Sequence, residues 1–444
     1  MSANAFIDEL ENRALNPGID LKRLSAEQQF ERIMDKVSNS AEAVVSPKDL
    51  LDRLKNSKRT GRPLKIKFGI DPTGPDIHIG HAIPLINLRL FQRMGHKVVL
   101  VIGDFTGMIG DPSGRLGGRP ALTEEEVKAN MATYEQQASR VIDLTDPSIE
   151  RHYNTEWMDN LTVGKWVNIL KQIPANSLLQ REDFRKRIAA GQGLSMAEIE
   201  YAIYMGFDSV VLNPDAELGG ADQYLNMHMC RQMMENAGQK PEIIISYYLL
   251  AGTSGECDEQ GRYVKMSKSK GNYIPVTASP EDMYGKVMSV PDEIMWLWFR
   301  ELTELSSNNI EQLRSYVQNG AVHPKEAKQF LARVIVGTFN FFDSGKIEEA
   351  ERAFNSKFGK EAILIPEDTE TVQIAPGVLL IDSLVQVTQK SKNEIRRMVQ
   401  HEGIRILKGE DYVPIDQNDL GRKLESFEGN VIRMGKRNYY RFKK

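Results

Sequence analysis

Only two of the 444 residues are cysteine, Cys230 and Cys257. They show no metal-ligand spacing and are too few for a disulfide framework, which excludes a disulfide-stapled scaffold and fits a reducing cytosol. No apolar run approaches the ~20 residues that cross a bilayer. The first residues, with Asp8, Glu9 and Glu11, lack a basic-then-apolar signal pattern and carry the acids that transit peptides avoid. Internal repeats and low-complexity tracts are missing as well. A cytoplasmic protein with no membrane contact is the expectation. Charge of one sign is scarce: the formal net charge is −4, with 27% charged and 41% hydrophobic residues, as in ordinary globular chains. The length gives ample core and predicts two or three domains.

What the chain does contain is a change of pattern along its length. Residues 1–60 read as a helical, charged segment. From about Leu64 to Ile245, apolar runs at Val98–Ile102, Val210–Leu212 and Ile243–Ile245 read as strands alternating with helical periodicity. That alternation predicts an α/β domain with a parallel sheet over residues 61–275. Ligands of such sheets bind at strand carboxyl ends, where the segments at Gly103 and Gly219 fall. Residues 276–354 read as an α-helical domain punctuated by Pro291 and Pro324. Pro366 and the polar run Glu367–Thr371 mark a linker over 355–373. The end module, 374–444, holds 14 Lys+Arg against 9 Asp+Glu, so the rest of the chain is acidic. A basic end on an acidic body suggests nucleic-acid contact delegated to that end.

Two short polar segments carry chemistry. Ile66–Ile70 reads as a strand, Asp71–Pro75 as a turn and Ala82–Met94 as a helix, with Ile83, Ile86, Leu90 and Met94 at helical spacing. His78-Ile79-Gly80-His81 thus lies at a helix start, whose free N–H groups and positive dipole end suit phosphate. Gly80 leaves room for a nucleotide base against the backbone. The imidazoles of His78 and His81 can donate to oxygens that gain charge when an α-phosphate is attacked. Taken alone, these are about as readily two surface histidines near a helix cap. Far downstream, Lys265-Met266-Ser267-Lys268-Ser269 lies in a polar, aperiodic stretch that reads as a mobile loop. Lys265 and Lys268 are compact cations able to close over a leaving pyrophosphate, although most short lysine runs are merely solvated.

In this order and with these flanks, the two segments resemble those of class I aminoacyl-tRNA synthetases, which adenylate an amino acid's carboxylate with ATP. The resemblance narrows to the tyrosyl-tRNA synthetase family, bacterial type, over about Glu42 to Lys444. It is carried by Lys67–Thr73 leading into His78, the long run Gly103–Arg115, Gly219-Gly220-Ala221-Asp222-Gln223, and Tyr201 with Asp208 on a predicted helix. It implies a Rossmann-like catalytic domain, then the α-helical domain and a small α+β S4-like RNA-binding domain. It also implies that Asp208 accepts a hydrogen bond from the tyrosine hydroxyl, and that Tyr201, Asp111 and Gln223 hold the amino and carboxylate end. Asp71, Gly80, Gly220, Asp222 and Lys268 would bind ATP; Thr73, His78, His81, Lys265 and Lys268 would act on its phosphates. ATP is then a substrate accompanied by Mg²⁺, with no protein metal site expected. Tyrosine tRNA and L-tyrosine are the expected partners, and the family works as a homodimer, for which residues 115–190 hold candidate interface helices. Phenylalanine lacks only the hydroxyl, so a buried carboxylate built to accept it rejects phenylalanine by roughly 10⁴-fold or more, an effect of which tyrosyl enzymes are themselves the standard example.

Two positions depart from the family. Met205 stands where a glutamine is usual, three residues before Asp208, and a thioether cannot bond or orient the substrate amine as an amide does. Lys67 stands where many members have a tyrosine, as in the subgroup that also carries Lys-Met-Ser-Lys-Ser. In the end module, Ser391–Gln400 resembles the basic helix of an S4 domain and Gly403–Glu410 its following strand and turn. Arg396, Arg397, Lys436 and Arg437 are the candidate phosphate contacts on a structured RNA. The leading expectation is a tyrosine–tRNA ligase. The alternatives are a tryptophanyl enzyme, a paralogue charging a modified or β-amino tyrosine analogue, and an RNA-binding or splicing factor with a synthetase body.

Overall fold

Six strands build the main sheet: β1 (Val44–Val45), β2 (Lys65–Ile70), β3 (Lys97–Ile102), β4 (Ile149–Tyr153), β5 (Ala216–Gly220) and β6 (Ile243–Tyr247). Their order is β1-β6-β5-β2-β3-β4. All neighbouring pairs are parallel except β1 against β6, so the expected parallel α/β sheet is present with one antiparallel edge strand. The computed structural model describes residues 2–15, 21–37, 44–72, 77–113, 122–247, 249–358, 369–374, 376–408, 411–435 and 438–443. Thr73, Lys436 and Arg437, with Gly114 and Arg115, lie outside the described residues. The chain divides into two compact units, Met1–Ile347 and Glu348–Lys444.

Strand order fixes where a crevice opens. From β2 the chain runs outward through β3 to β4, then returns to the other side of β2 for β5 and β6. The connections on the two sides leave in opposite directions, so a gap forms above the carboxyl ends of β2 and β5. The ladder between those strands holds only Ile66↔Ala216 and Lys67↔Glu217. The β2–β3 ladder, by contrast, runs the full strand from Lys65↔Lys97 to Ile70↔Ile102. Beyond Lys67 and Glu217 the backbone is therefore free to part around a ligand.

Three helices frame the gap: α1 (Ile83–Arg93), α2 (Met196–Leu212) and α3 (Tyr224–Asn236). The first buries Leu85, Ile86, Leu88, Leu90 and Phe91. A capping box starts α2, with Ser195 and Glu198 satisfying each other's backbone N–H, and Asn213 in the left-handed region (φ 48°) ends it. Val210–Leu212, expected as a strand, is instead the last turn of α2. Three apolar residues cannot separate helix from strand by periodicity. The true strand, Ala-Glu-Leu-Gly-Gly, lacks the β-branched residues that announce one.

A helical stretch follows: Pro280–Met288, α4 (Asp292–Leu302), Ser307–Gln318 and Pro324–Phe339. Trp298 of α4 is fully buried and donates its Nε1–H to the Ala251 carbonyl at 3.1 Å. Glu304, just after α4, receives Arg93 of α1 through both oxygens at 2.7 and 2.6 Å, with Arg32 and Arg89 at 3.6 Å.

In the second unit the sheet order is β7-β11-β10-β8-β9: β7 (Glu370–Gln373), β8 (Ile404–Lys408), β9 (Asp411–Pro414), β10 (Val431–Met434) and β11 (Asn438–Lys443). Helices α5 (Leu380–Thr388) and α6 (Lys392–Gln400) bury Ile381, Leu384, Ile395 and Val399 against Ile404, Ile406, Ile432 and Phe442. This is the small α+β module expected. No helix among the described residues is long and apolar enough to cross a membrane.

Glu304 is largely buried among three arginines, and removing one partner of such a set leaves uncompensated cations. Glu304→Ala is expected to destabilise the protein by about 3–5 kcal/mol in denaturant unfolding. A loss below about 1 kcal/mol, the range of screened surface pairs, would contradict this account of how α1 is anchored.

Candidate active site

The crevice at the strand ends is a cavity of about 720 Å³. Each predicted catalytic, nucleotide or amino-acid residue among the described ones lines it: Asp71, His78, Gly80, His81, Asp111, Tyr201, Met205, Asp208, Gly220, Asp222, Gln223, Lys265 and Lys268. Residues up to 197 positions apart in sequence, Asp71 and Lys268, thus line one cavity. Arg396 and Arg397 belong to the second unit, exposed on α6.

One end of the cavity carries the two histidines and the lysine motif. His78 forms a bridge with Pro275, Ile79 N–H bonds Ile274 O at 2.9 Å, and His81 closes a turn onto His78 O. The two imidazoles stack at 3.6 Å. Burial, then His81 and Lys268, push His78 down to about 2, so it is neutral at working pH. The His81 N–H also lies 3.3 Å from His78 Nδ1, a contact that suits a neutral ring with its proton on Nε2. Helix α1 begins at Ile83, two residues after His81, so the histidines stand at the helix start as expected; the N–H groups of His81 and Ala82 bond within the preceding turn, and Ile83 and Pro84 of the first helical turn also line the cavity. A Cβ on Gly80 would stand 3.1 Å from the His78 ring, so glycine here makes room first for that imidazole.

The lysine motif is held by short bridges. Ala251 pairs with Lys265, Met266 N–H bonds Leu250 O at 2.7 Å, and Ser267 N–H bonds Asn272 Oδ1 at 2.8 Å. Met266 is buried while Lys265 stays half exposed, its Nζ 3.7 Å from Asp222 Oδ2. Burial raises Asp222 above its ordinary range and Lys265 opposes this. Gly220 N–H bonds Gln223 Oε1 at 3.2 Å, which folds the Gly219–Gln223 segment back over its strand end.

The other end is lined by hydrogen-bonded carboxylates. Tyr201 donates its hydroxyl to Asp71 Oδ2 at 2.8 Å, and Thr106 donates to Asp71 Oδ1 at 2.8 Å. A Cβ on Gly103 would collide with both Asp71 Oδ1 and Thr106 Oγ1 at 2.2 Å, so only glycine permits this contact. Asp111 accepts from Gln223 (3.2 Å), Asn226 (3.3 Å) and the Ser113 N–H (2.9 Å). Asp208 is buried and accepts the Trp157 Nε1–H at 2.8 Å. Burial pushes Asp208 up to about 7, against the pull of Lys67 and Trp157. Met205 is buried beside Tyr201, Met227, Cys230 and Ile244, and gives this part of the wall an apolar surface.

Sequence reasoning missed several participants. Trp157, Asn226, Ser113, Ser209, Glu217 and Glu242 all bond the predicted residues or support them. One signal was available: Lys67 and Glu217 are charges set inside apolar strand runs. Charges at such positions face a partner or a ligand when fully buried.

Comparisons with known proteins point to a family. The family model of class I tRNA synthetases (W and Y) matches residues 58–358. The tyrosine–tRNA ligase of Shewanella oneidensis is 37% identical over 413 residues, 92% of this chain and 98% of that one. That of Thermotoga maritima is 38% identical over 399 residues, 90% and 94% of the two chains. Among solved structures, a C-terminally truncated mitochondrial tyrosyl-tRNA synthetase of Aspergillus nidulans matches with TM-score 0.58 at 19% identity, covering 80% of this chain and 99% of that one. The tyrosyl-tRNA synthetase of Archaeoglobus fulgidus complexed with L-tyrosine matches with TM-score 0.55 at 18% identity, covering 74% and 99%. The solved structures speak for a shared Rossmann-like fold, and the sequence matches for kinship. On the sequence matches the chain belongs to the class I tRNA synthetases (W and Y), in the tyrosine–tRNA ligase family.

Proposed function

We propose that this synthetase activates L-tyrosine with ATP and transfers it to the 3′ end of tyrosine tRNA. The observation that carries this is the convergence of His78, Lys265 and Asp222 with Tyr201, Asp111 and Asp208 on one cavity. In the first step the tyrosine carboxylate attacks the α-phosphate, and the α–β bond breaks to release pyrophosphate. In the second, a ribose hydroxyl of the tRNA attacks the adenylate carbonyl and AMP leaves. The names of the relatives support tyrosine as the amino acid.

The residues divide the work by charge. His78, neutral near neutral pH, donates a ring N–H to a phosphate oxygen that gains charge. Lys265 and Lys268 receive the pyrophosphate charge. Thr73 is proposed beside them on the strength of its motif alone. Asp222 and Gly220 take the ribose, Gly80 and Asp71 the rest of the nucleotide end. Tyr201, Asp111 and Gln223 hold the amino acid's polar end, and Asp208 accepts its hydroxyl. Mg²⁺ is expected to accompany ATP as part of the substrate. No step here runs through a metal.

We further infer that the basic end module anchors tRNA, with Arg396, Arg397, Lys436 and Arg437 as phosphate contacts. The exposure of Arg396 and Arg397 on a capped helix supports this. A homodimer in the cytoplasm is part of the same reading; the strongly exposed Val163, Ile188 and Met196 offer apolar surface for it.

Two outcomes follow. His78→Ala should lower the rate of adenylate formation by about 10²-fold or more while tyrosine binding holds, because the lost contact forms in the transition state. The residual dependence on His78 should be flat across neutral pH, since the ring is neutral throughout. Stopped-flow activation kinetics decide this, and an unchanged rate would refute the assignment. Second, removal of residues 374–444 should spare tyrosine-dependent pyrophosphate exchange and sharply reduce aminoacylation. A truncated protein that charges tRNA with full rate and affinity would rule out the module as an anchor.

A further inference from the structure

Under the cavity floor lie four polar side chains with no accessible surface: Lys67, Ser209, Glu217 and Glu242. Lys67 and Glu217 face each other across the last rung of the β2–β5 ladder, Nζ 2.7 Å from Oε1. Lys67 Nζ also donates to Ser209 Oγ at 2.6 Å, and Ser209 donates onward to Glu242 Oε1 at 3.0 Å. Burial, then Glu217, hold Glu242 well above the carboxylate range. Desolvating an ion pair this completely is seldom repaid as stability, and an apolar pair of similar volume packs as well. The pair therefore needs another reason for standing at this point of the sheet.

The reason lies one residue away. Ser209 is the chain neighbour of Asp208, so Lys67 grips helix α2 where it presents Asp208 to the cavity. Lys67 and Asp208 line the same cavity. The groups that act on the charge of Asp208 are Lys67 from β2, Glu217 from β5, and the hydrogen-bond donors Trp157 and Asn154. On its own helix Tyr201 is the titratable neighbour. Burial alone favours the protonated form of Asp208, and Lys67 is the cation that opposes it. A protonated carboxyl would itself be a donor and would no longer require a hydroxyl proton from the substrate.

We propose that Lys67, fixed by Glu217 and by the Ser209–Glu242 bridge, is a specificity-determining positioning residue that keeps Asp208 an ionised acceptor for the substrate's phenol hydroxyl. This rests on the reading of Asp208 given above. Lys67 acts through Asp208, so its signature is a pH profile and not a simple loss.

The test measures kcat/KM for L-tyrosine and L-phenylalanine in pyrophosphate exchange from about pH 5.5 to 9, which reports titration of the free enzyme. The tyrosine value of the unaltered protein should rise with pH through a midpoint near 7, as Asp208 ionises. Lys67→Met should move that midpoint up by about one unit or more, lower the tyrosine preference about tenfold at neutral pH, and recover at the alkaline end. Lys67→Arg should return the midpoint toward the original. Glu217→Gln with Glu242→Gln removes acid beside Lys67 and should move it down. A folded Lys67→Met protein whose midpoint is unmoved, or which loses activity equally at every pH, overturns the proposal. Should Lys67→Met fail to fold, the glutamine pair decides: a midpoint unmoved or raised overturns it. Asp208→Asn separates the two readings. If the pH limb survives that change, the Asp208 assignment falls and the inference with it. If the limb vanishes in Asp208→Asn but ignores Lys67→Met, only the role of Lys67 is lost.

Discussion

The ladder between β2 and β5 stops after Lys67↔Glu217, and the rest of the site depends on that stop. Hydrogen-bonded strands leave no room for a ligand. Here the two strands bond at their entry, then carry Asp71 and the Gly219–Gln223 segment apart at their carboxyl ends. Reversal of strand order at the same place sends the connecting chains to opposite sides, so nothing closes the gap. The cavity is thus a consequence of topology, and its chemistry is a consequence of which side chains the strand ends and their following turns present.

Those side chains form two electrostatic regimes. The inner end is buried and acidic, with each carboxylate held by donors: Asp71 by Tyr201 and Thr106, Asp111 by Gln223 and Asn226, Asp208 by Trp157. Fixed acceptors of this kind suit a zwitterionic amino acid with a hydroxyl, because each leaves a defined direction unsatisfied when the wrong group enters. The outer end is cationic or neutral, with stacked His78 and His81 beside Lys265 and Lys268. A neutral His78 imidazole and mobile ammoniums stabilise phosphate charge without requiring proton transfer at each turnover. Trp298 bonds Ala251, which pairs with Lys265, so the helical stretch steadies the base of the lysine loop.

Much of this was legible in the sequence, because the motif residues answer demands that few residue types meet. Gly103 is required by the contact of Asp71 with Thr106, and a side chain at Gly80 would press on the His78 ring, so each glycine answers a steric demand of its segment. The two histidines and the two lysines were separately unremarkable and jointly specific. Other parts were hidden for physical reasons. Val210–Leu212 carried the composition of a strand but ended a helix whose signal, the Ser195 capping box, lay fifteen residues upstream of Val210. Strand β1 is two residues long and exists only by pairing with β6, about two hundred positions away. Trp157, Ser209 and Glu242 belong to no local motif; they matter through contacts that only the folded chain creates. Met205 was visible as a departure, and its burial among Tyr201, Met227 and Cys230 gives it a packing role as well as a place on the wall.

The central claim is that this cavity selects tyrosine and adenylates it. ATP–pyrophosphate exchange by the unaltered protein across a panel of amino acids tests it most directly, with L-tyrosine, L-phenylalanine, L-tryptophan and amine-modified or β-amino tyrosines in parallel. The account predicts strong exchange with L-tyrosine and rejection of L-phenylalanine by several orders of magnitude, on the scale of about 10⁵-fold for which tyrosyl enzymes are the standard example. Exchange that fails with L-tyrosine and proceeds with an amine-altered analogue would contradict the substrate assignment and point to Met205; absence of exchange with every amino acid would contradict the chemistry itself.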